Sequence, residues 1–131
     1  MPRGFRRLAM PAVVIAALAA VPAVIQAAGP AGDVAAGKLV FAKCAICHSM
    51  APGDNRLGPT LAGVVGRKAG TVPGYNYSPA MKNAGLIWTP ANLDAYLANP
   101  RGKLPGVKMI FVGLPKPEDR ANVIAYLANP K

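Results

Sequence analysis

Apolar and polar positions alternate with a helical period in only a few short stretches. The first apolar run is different: Leu8 to Ile25 carries no charge and follows Arg3, Arg6 and Arg7. A basic start, an apolar middle and small residues at Ala27 and Ala28 form the layout of a secretory signal. Residues 1–28 are therefore read as a signal peptide, with Pro11 and Pro22 interrupting what could otherwise be an uncleaved anchor. A helix is then predicted from an Asp33 cap to about Cys47, with Val34, Gly37, Val40 and Phe41 on one face. Ser49 to Tyr77 shows no period and is rich in glycine and proline, the composition of long loops. Ser78-Pro79 opens a short helix that Gly85 ends. Thr89-Pro90 opens a second, closed at Asn99-Pro100. Pro117 opens the last, with Glu118 and Asp119 in its first turn and Val123, Ile124, Tyr126 and Leu127 as its apolar face. No alternation of period two marks a strand, so the fold class is all-α. Ala-Tyr-Leu-Ala-Asn-Pro occurs at 95–100 and at 125–130, one helix ending used twice.

A chain of 131 residues with 14 glycines and 14 prolines supports one loop-rich domain, over residues 32–131. Such a chain buries little apolar surface unaided. Cys44-Ala45-Ile46-Cys47-His48 supplies what is missing. Two cysteines three apart, followed directly by histidine, are the attachment pattern of a c-type haem. On one helical turn the two sulfurs lie on nearly the same face, spaced to add to the two vinyl groups of one porphyrin. His48 then points its imidazole at the iron. A redox disulfide would sit in a βαβ pattern, absent here. A zinc site needs four ligands, and the chain has two cysteines and one histidine. So short a disulfide loop would stabilise little.

With one histidine, the second axial ligand comes from sulfur or an amine. Met50 is too close to His48 in sequence to reach the opposite face. Met109, at the end of the rigid Pro105-Gly106-Val107-Lys108 stretch, is the expected ligand, and Met81 in its short helix is the alternative. Two filled axial positions predict one-electron transfer with no bond making, at a potential raised by the soft thioether.

The chain resembles the class I c-type cytochromes, the family of mitochondrial cytochrome c and bacterial cytochrome c2. The resemblance rests on Cys44-x-x-Cys47-His48, Gly58-Pro59-x-Leu61, Gly66-Arg67-Lys68-x-Gly70, Pro73-Gly74-Tyr75-x-Tyr77, Trp88, Tyr96-Leu97, Asn99-Pro100 and Pro105-Gly106-x-Lys108-Met109-Ile110-Phe111. It implies short helices and long loops wrapped around one covalent haem c. It further implies that the Pro59 carbonyl bonds the His48 ring, that Tyr77 and Trp88 bond a propionate with Arg67 nearby, that Tyr96 lies beside the Met109 sulfur, and that Phe111 covers the haem edge. Gly37 and Phe41 would cross Val123 and Tyr126. Val107, Met81 and Asn55 stand where the family commonly has threonine, asparagine and histidine.

Without Arg3, Arg6 and Arg7, twelve basic residues face five acidic ones, a charge of +7. No basic motif interleaved with aromatics points to nucleic acid. The resemblance puts Lys43, Arg56, Arg101, Lys108 and Lys116 around the haem edge, a ring suited to acidic docking faces of membrane redox complexes. The expected protein is a monomeric periplasmic electron carrier, not an enzyme, between a quinol-oxidising complex and an oxidase, reductase or photosynthetic reaction centre. It would touch the membrane only through partners or an uncleaved N-terminus. A peroxidase-like enzyme or gas sensor, with Met109 absent or labile, is the competing class.

Overall fold

A computed structural model of the chain describes residues 31–131, together with Met1 and Gly4. The predicted signal over 1–28 thus lies outside the described residues, those two positions aside. Among the described residues five helices follow in order: α1 Val34–Phe41, α2 Pro79–Lys82, α3 Pro90–Ala98, α4 Pro100–Lys103 and α5 Pro117–Ala128. Among the described residues there is no strand, only one antiparallel bridge between Lys68 and Ile87.

Local chemistry explains where the helices start. Asp33, Ser78, Thr89 and Asn99 each accept a backbone N–H three residues on, at 2.6, 3.1, 3.1 and 3.0 Å. At α2, α3 and α4 a proline follows the cap, where its missing N–H costs nothing. Lys116 makes no such bond before α5, whose first turn relies on Pro117 and on Glu118 and Asp119 against the helix dipole. Two boundaries differ from expectation. Regular α1 stops at Phe41, and 42–47 continue as successive tight turns. Asn99-Pro100 closes α3 but also starts α4, since an asparagine that ends one helix can cap the next.

α1 and α5 cross at backbone distance. A Cβ on Gly37 would stand 2.0 Å from the Asn122 carbonyl oxygen, and one on Gly32 equally close to that of Ala121. The Asn122 side chain accepts from the Asp33 N–H at 2.8 Å, tying the start of α1 to α5. Phe41 and Tyr126 pack with ring centroids 5.2 Å apart, so the expected crossing is present. Arg120 of α5 joins three segments. Its guanidinium meets Asp94 of α3 at 2.7 Å and donates to the carbonyls of Leu114 and Pro115 at 2.8 and 3.0 Å.

The buried residues do not form a core separate from the site. Val64, Trp88, Leu93, Tyr96, Val123 and Leu127 are buried, and all six also line one apolar cleft.

Gly37→Ala tests the crossing. The added methyl meets backbone, not a flexible side chain, so α5 must move. The expected cost is about 1–3 kcal/mol, a fall of roughly 5–20 °C in thermal midpoint. Leu39→Ala, at a position 78% exposed on the same helix, should stay within about 0.5 kcal/mol of the parent.

Candidate haem-binding cleft

The cleft is built outward from His48. After α1, the Ala45 N–H donates to the Phe41 carbonyl and the His48 N–H to that of Cys44, both at 2.9 Å. The second bond closes one helical turn around Cys44-x-x-Cys47-His48. Both cysteines are free, and both line the cleft with His48. Burial raises the pKa of the Cys44 thiol, against the pull of the Lys43 ammonium, with a smaller upward push from Cys47.

The His48 ring is held by a loop. Its Nδ1 lies 2.7 Å from the Pro59 carbonyl oxygen. A carbonyl only accepts, so Nδ1 carries the proton and Nε2 keeps a lone pair. Burial lowers the ring's pKa, and the Arg67 charge adds to this while the Pro59 bond opposes it. The imidazole is therefore kept neutral, the form that can ligate a metal. Gly58 leaves room for it: a Cβ there would stand 2.3 Å from His48 Cε1.

Polar bonds shape that loop. The Thr60 hydroxyl donates to the Ala51 carbonyl at 2.7 Å, and the Ser49 carbonyl accepts from the Leu61 N–H at 2.8 Å. Asn55 accepts from the Thr60 N–H and donates to the Pro73 carbonyl, both at 3.0 Å. The asparagine thus joins the 49–61 and 73–77 loops, although the family usually has histidine there.

The other expected site residues divide into two groups. Pro59, Tyr77, Trp88, Tyr96, Met109 and Phe111 line the cleft. Trp88 is set by the 66–69 segment: it accepts from the Gly66 N–H and donates to the Arg67 carbonyl, both at 2.8 Å. Its ring packs on Tyr96 at 4.9 Å. Burial alone pushes the Tyr96 phenol up to about 12, so it stays a protonated donor. Tyr77 accepts from the Val72 N–H at 3.1 Å. Arg67, by contrast, is absent from the cleft lining. Its guanidinium donates to the Ala62 and Thr60 carbonyls at 3.0 and 3.1 Å, one layer behind His48. Met81 and Val107 line the cleft as well, so two thioethers face it.

The cleft was legible in its motifs, but two residues that shape its rim were not singled out for a role. Tyr75 lines it and donates from its hydroxyl to the Leu57 carbonyl at 2.8 Å. Arg120 anchors the chain after Phe111. Arg120 looks like an ordinary surface side chain in sequence, and Tyr75 stands in a family motif that gives it no role of its own.

The donor set fits a c-type haem. Two unpaired thiols on one turn, a neutral imidazole with one nitrogen free, and thioether sulfur all meet in one apolar cleft. Among the described residues no group of three or more His, Cys, Asp or Glu forms a metal site of another kind.

Comparison with known proteins agrees. The family model described as "Cytochrome c" matches residues 34–131. Cytochrome c2 of Rhodomicrobium vannielii is 51% identical over 120 residues, covering 91% of this chain and 96% of that protein. Cytochrome c2 of Rhodoblastus acidophilus is 51% identical over 102 residues, covering 77% and 95%. The solved structure of cytochrome cH from Methylobacterium extorquens superposes with a TM-score of 0.70 at 48% identity, covering 73% of this chain and 97% of that one.

Asn55→Ala removes one donor and one acceptor between two loops. Amide exchange at Thr60 should quicken by about five- to tenfold, in line with about 1 kcal/mol for one exposed bond, while α5 amides stay protected. Unchanged exchange at Thr60 would mean the loops hold together without Asn55.

Proposed function

The chain belongs to the cytochrome c family, and from that premise we propose that it is a periplasmic one-electron carrier whose haem iron lies between His48 and Met109. Membership brings one haem c, attached covalently through Cys44 and Cys47. A haem with both axial positions filled exchanges one electron between ferric and ferrous iron and offers substrates no open site.

The observation that carries the reading is His48. Its Nδ1 is committed to Pro59 and its neutral ring stands in the cleft wall, leaving Nε2 as the one imidazole donor. Met109 supplies a soft sulfur from another loop lining the same cleft. A thioether favours the reduced metal and raises the potential. Val64, Leu93, Val123 and Leu127 exclude water, which limits reorganisation as charge changes. Tyr77 and Trp88, both in the cleft lining, are the proposed partners of the propionates. Arg67 lends positive charge from behind, held there by two hydrogen bonds to the backbone.

The partners proposed are membrane redox complexes with acidic docking faces. Lys43 and Lys108 belong to the cleft lining, and Ile110 at its mouth is 89% exposed. Basic side chains around an apolar spot suit a small, quickly exchanging contact. Arg56 contributes less, because it pairs with Asp54 at 3.0 Å. Residues 1–28 are proposed as the export signal, and N-terminal sequencing of the purified protein reads out their removal.

Met109→Ala tests the ligand set. It should lower the reduction potential by on the order of 0.1 V, within the roughly 0.8 V that axial ligands command, and make the iron bind carbon monoxide readily. Met81→Leu should do neither. The reverse pattern would make Met81 the ligand, and a high-spin parent protein would favour the enzyme or sensor class. Raising ionic strength from about 0.01 to 0.3 M should slow electron transfer to an acidic partner by on the order of tenfold. A rate independent of salt would remove the basic ring from the reading.

A further inference from the structure

The Met109 side of the cleft is walled by three elements that fit closely. α2 is held from two directions. Its Ser78 cap accepts from the Met81 N–H at 3.1 Å, and the 66–70 segment comes so near that a Cβ on Gly70 would stand 2.8 Å from the Met81 carbonyl oxygen. The turn before Met109 packs on α2 in the same way. A Cβ on Gly106 would lie 3.3 Å from the Cβ of Ala80. Met81 and Val107 each follow one of these two touching residues, and both line the cleft. α3 supplies the third element.

These elements turn little polar chemistry into the cleft. α2 contributes Met81, the turn contributes Val107, Lys108 and Met109, and α3 contributes Leu93, Tyr96 and Leu97. The Lys108 ammonium is engaged by the Asn76 carbonyl. Thioether sulfur accepts only weakly. The Tyr96 hydroxyl is then the one strong hydrogen-bonding group left on this wall. Burial alone accounts for its raised pKa, with no hydrogen bond contributing. The next hydroxyls along the chain serve elsewhere: Tyr77 accepts from the Val72 N–H at 3.1 Å, and Ser78 caps α2. A buried water makes about three hydrogen bonds. Here the side chains offer it one phenol and two sulfurs.

We propose that Met81 and Val107 keep water out of the space beside the Met109 sulfur, so that the Tyr96 hydroxyl faces sulfur alone and no trapped solvent answers the change of charge on the iron. The proposal rests on the reading of Met109 as the sixth ligand. Met81 and Val107 are positioning residues in this account: neither supplies an atom to the metal. A water beside the sulfur would reorient between the ferric and ferrous states, whereas an aliphatic or thioether side chain has almost no dipole to turn. An amide at 81 or a hydroxyl at 107 would give such a water its missing partner. The wall thus removes one source of reorganisation from the electron-transfer step.

Proton NMR of the reduced, diamagnetic holoprotein reads this directly. Magnetisation transfer from a long-lived water to the Tyr96 hydroxyl and the Met109 methyl should be absent in the parent. Met81→Asn and Val107→Thr should each bring it in. Both should also slow electron self-exchange by about two- to fivefold, the scale of a small added barrier, and neither changes the charge of the surface. Val107→Thr keeps the shape of the side chain and so carries the test if Met81→Asn does not fold. Met81→Leu, apolar and of similar volume, should match the parent in both measurements. A long-lived water on Tyr96 in a parent whose Met109 methyl is shifted far upfield by the haem ring would overturn the exclusion of water alone. So would folded polar variants that stay dry, or self-exchange that slows as much in Met81→Leu. A parent whose Met109 methyl is not shifted would overturn the ligand set and this proposal with it.

Discussion

One imidazole with its two nitrogens facing different ways sets the terms for the rest of the molecule. The Pro59 carbonyl at 2.7 Å fixes which nitrogen of His48 is protonated and how the ring is turned. That requires Pro59 to stand beside a residue eleven positions earlier, and Gly58 to have no side chain. It also requires the intervening loop to close on itself, which Ser49, Thr60 and Asn55 accomplish with bonds to backbone groups. The irregular stretch from Ser49 to Leu61 is therefore ordered by hydrogen bonds that help to place one ring.

Helices and loops share the work unequally. α1 and α5 form the rigid frame, crossing where Gly37 lets backbone meet backbone. The cleft wall is drawn from α2, α3, α5 and three loops, and several apolar side chains serve both as protein core and as cleft lining. A chain this small and rich in turns has little apolar surface to spare for a second core. A covalent haem in the cleft belongs to the fold as much as to the chemistry. Arg120 of α5 and Leu97 of α3 tie down the chain just after the loop that carries Met109, so that side of the cleft depends on tertiary contacts where the His48 side depends on bonds closer in sequence.

That difference also explains what could be read from the sequence. Caps at Asp33, Ser78 and Thr89 act over three residues and were visible, as was the single turn of Cys44 to His48. The crossing at Gly37 and the approach of Pro59 to His48 were foreseen through family resemblance, and both are present. The end of α1 at Phe41 was missed because the residues of the following turns also suit a helix. α4 was missed because Asn99-Pro100 reads as a stop before it reads as a start. Arg67 was expected near a propionate, and two of its five N–H donors go to the Thr60 and Ala62 carbonyls. Arg120 and Tyr75 bond to residues that only the fold brings near. A side chain whose partner is set by topology carries no local signature.

The claim on which the account turns is that His48 keeps its Nδ1 proton on Pro59 and turns Nε2 to the iron. Nitrogen-15 NMR of the reduced, ¹⁵N-histidine-labelled holoprotein addresses it directly, since the chain has one histidine. The account predicts a single ring N–H, assigned to Nδ1, that exchanges with water far more slowly than a solvated imidazole, together with an Nε2 resonance shifted by metal coordination. A ring N–H on Nε2, or an Nδ1 proton lost to water at the rate of a free side chain, would contradict it.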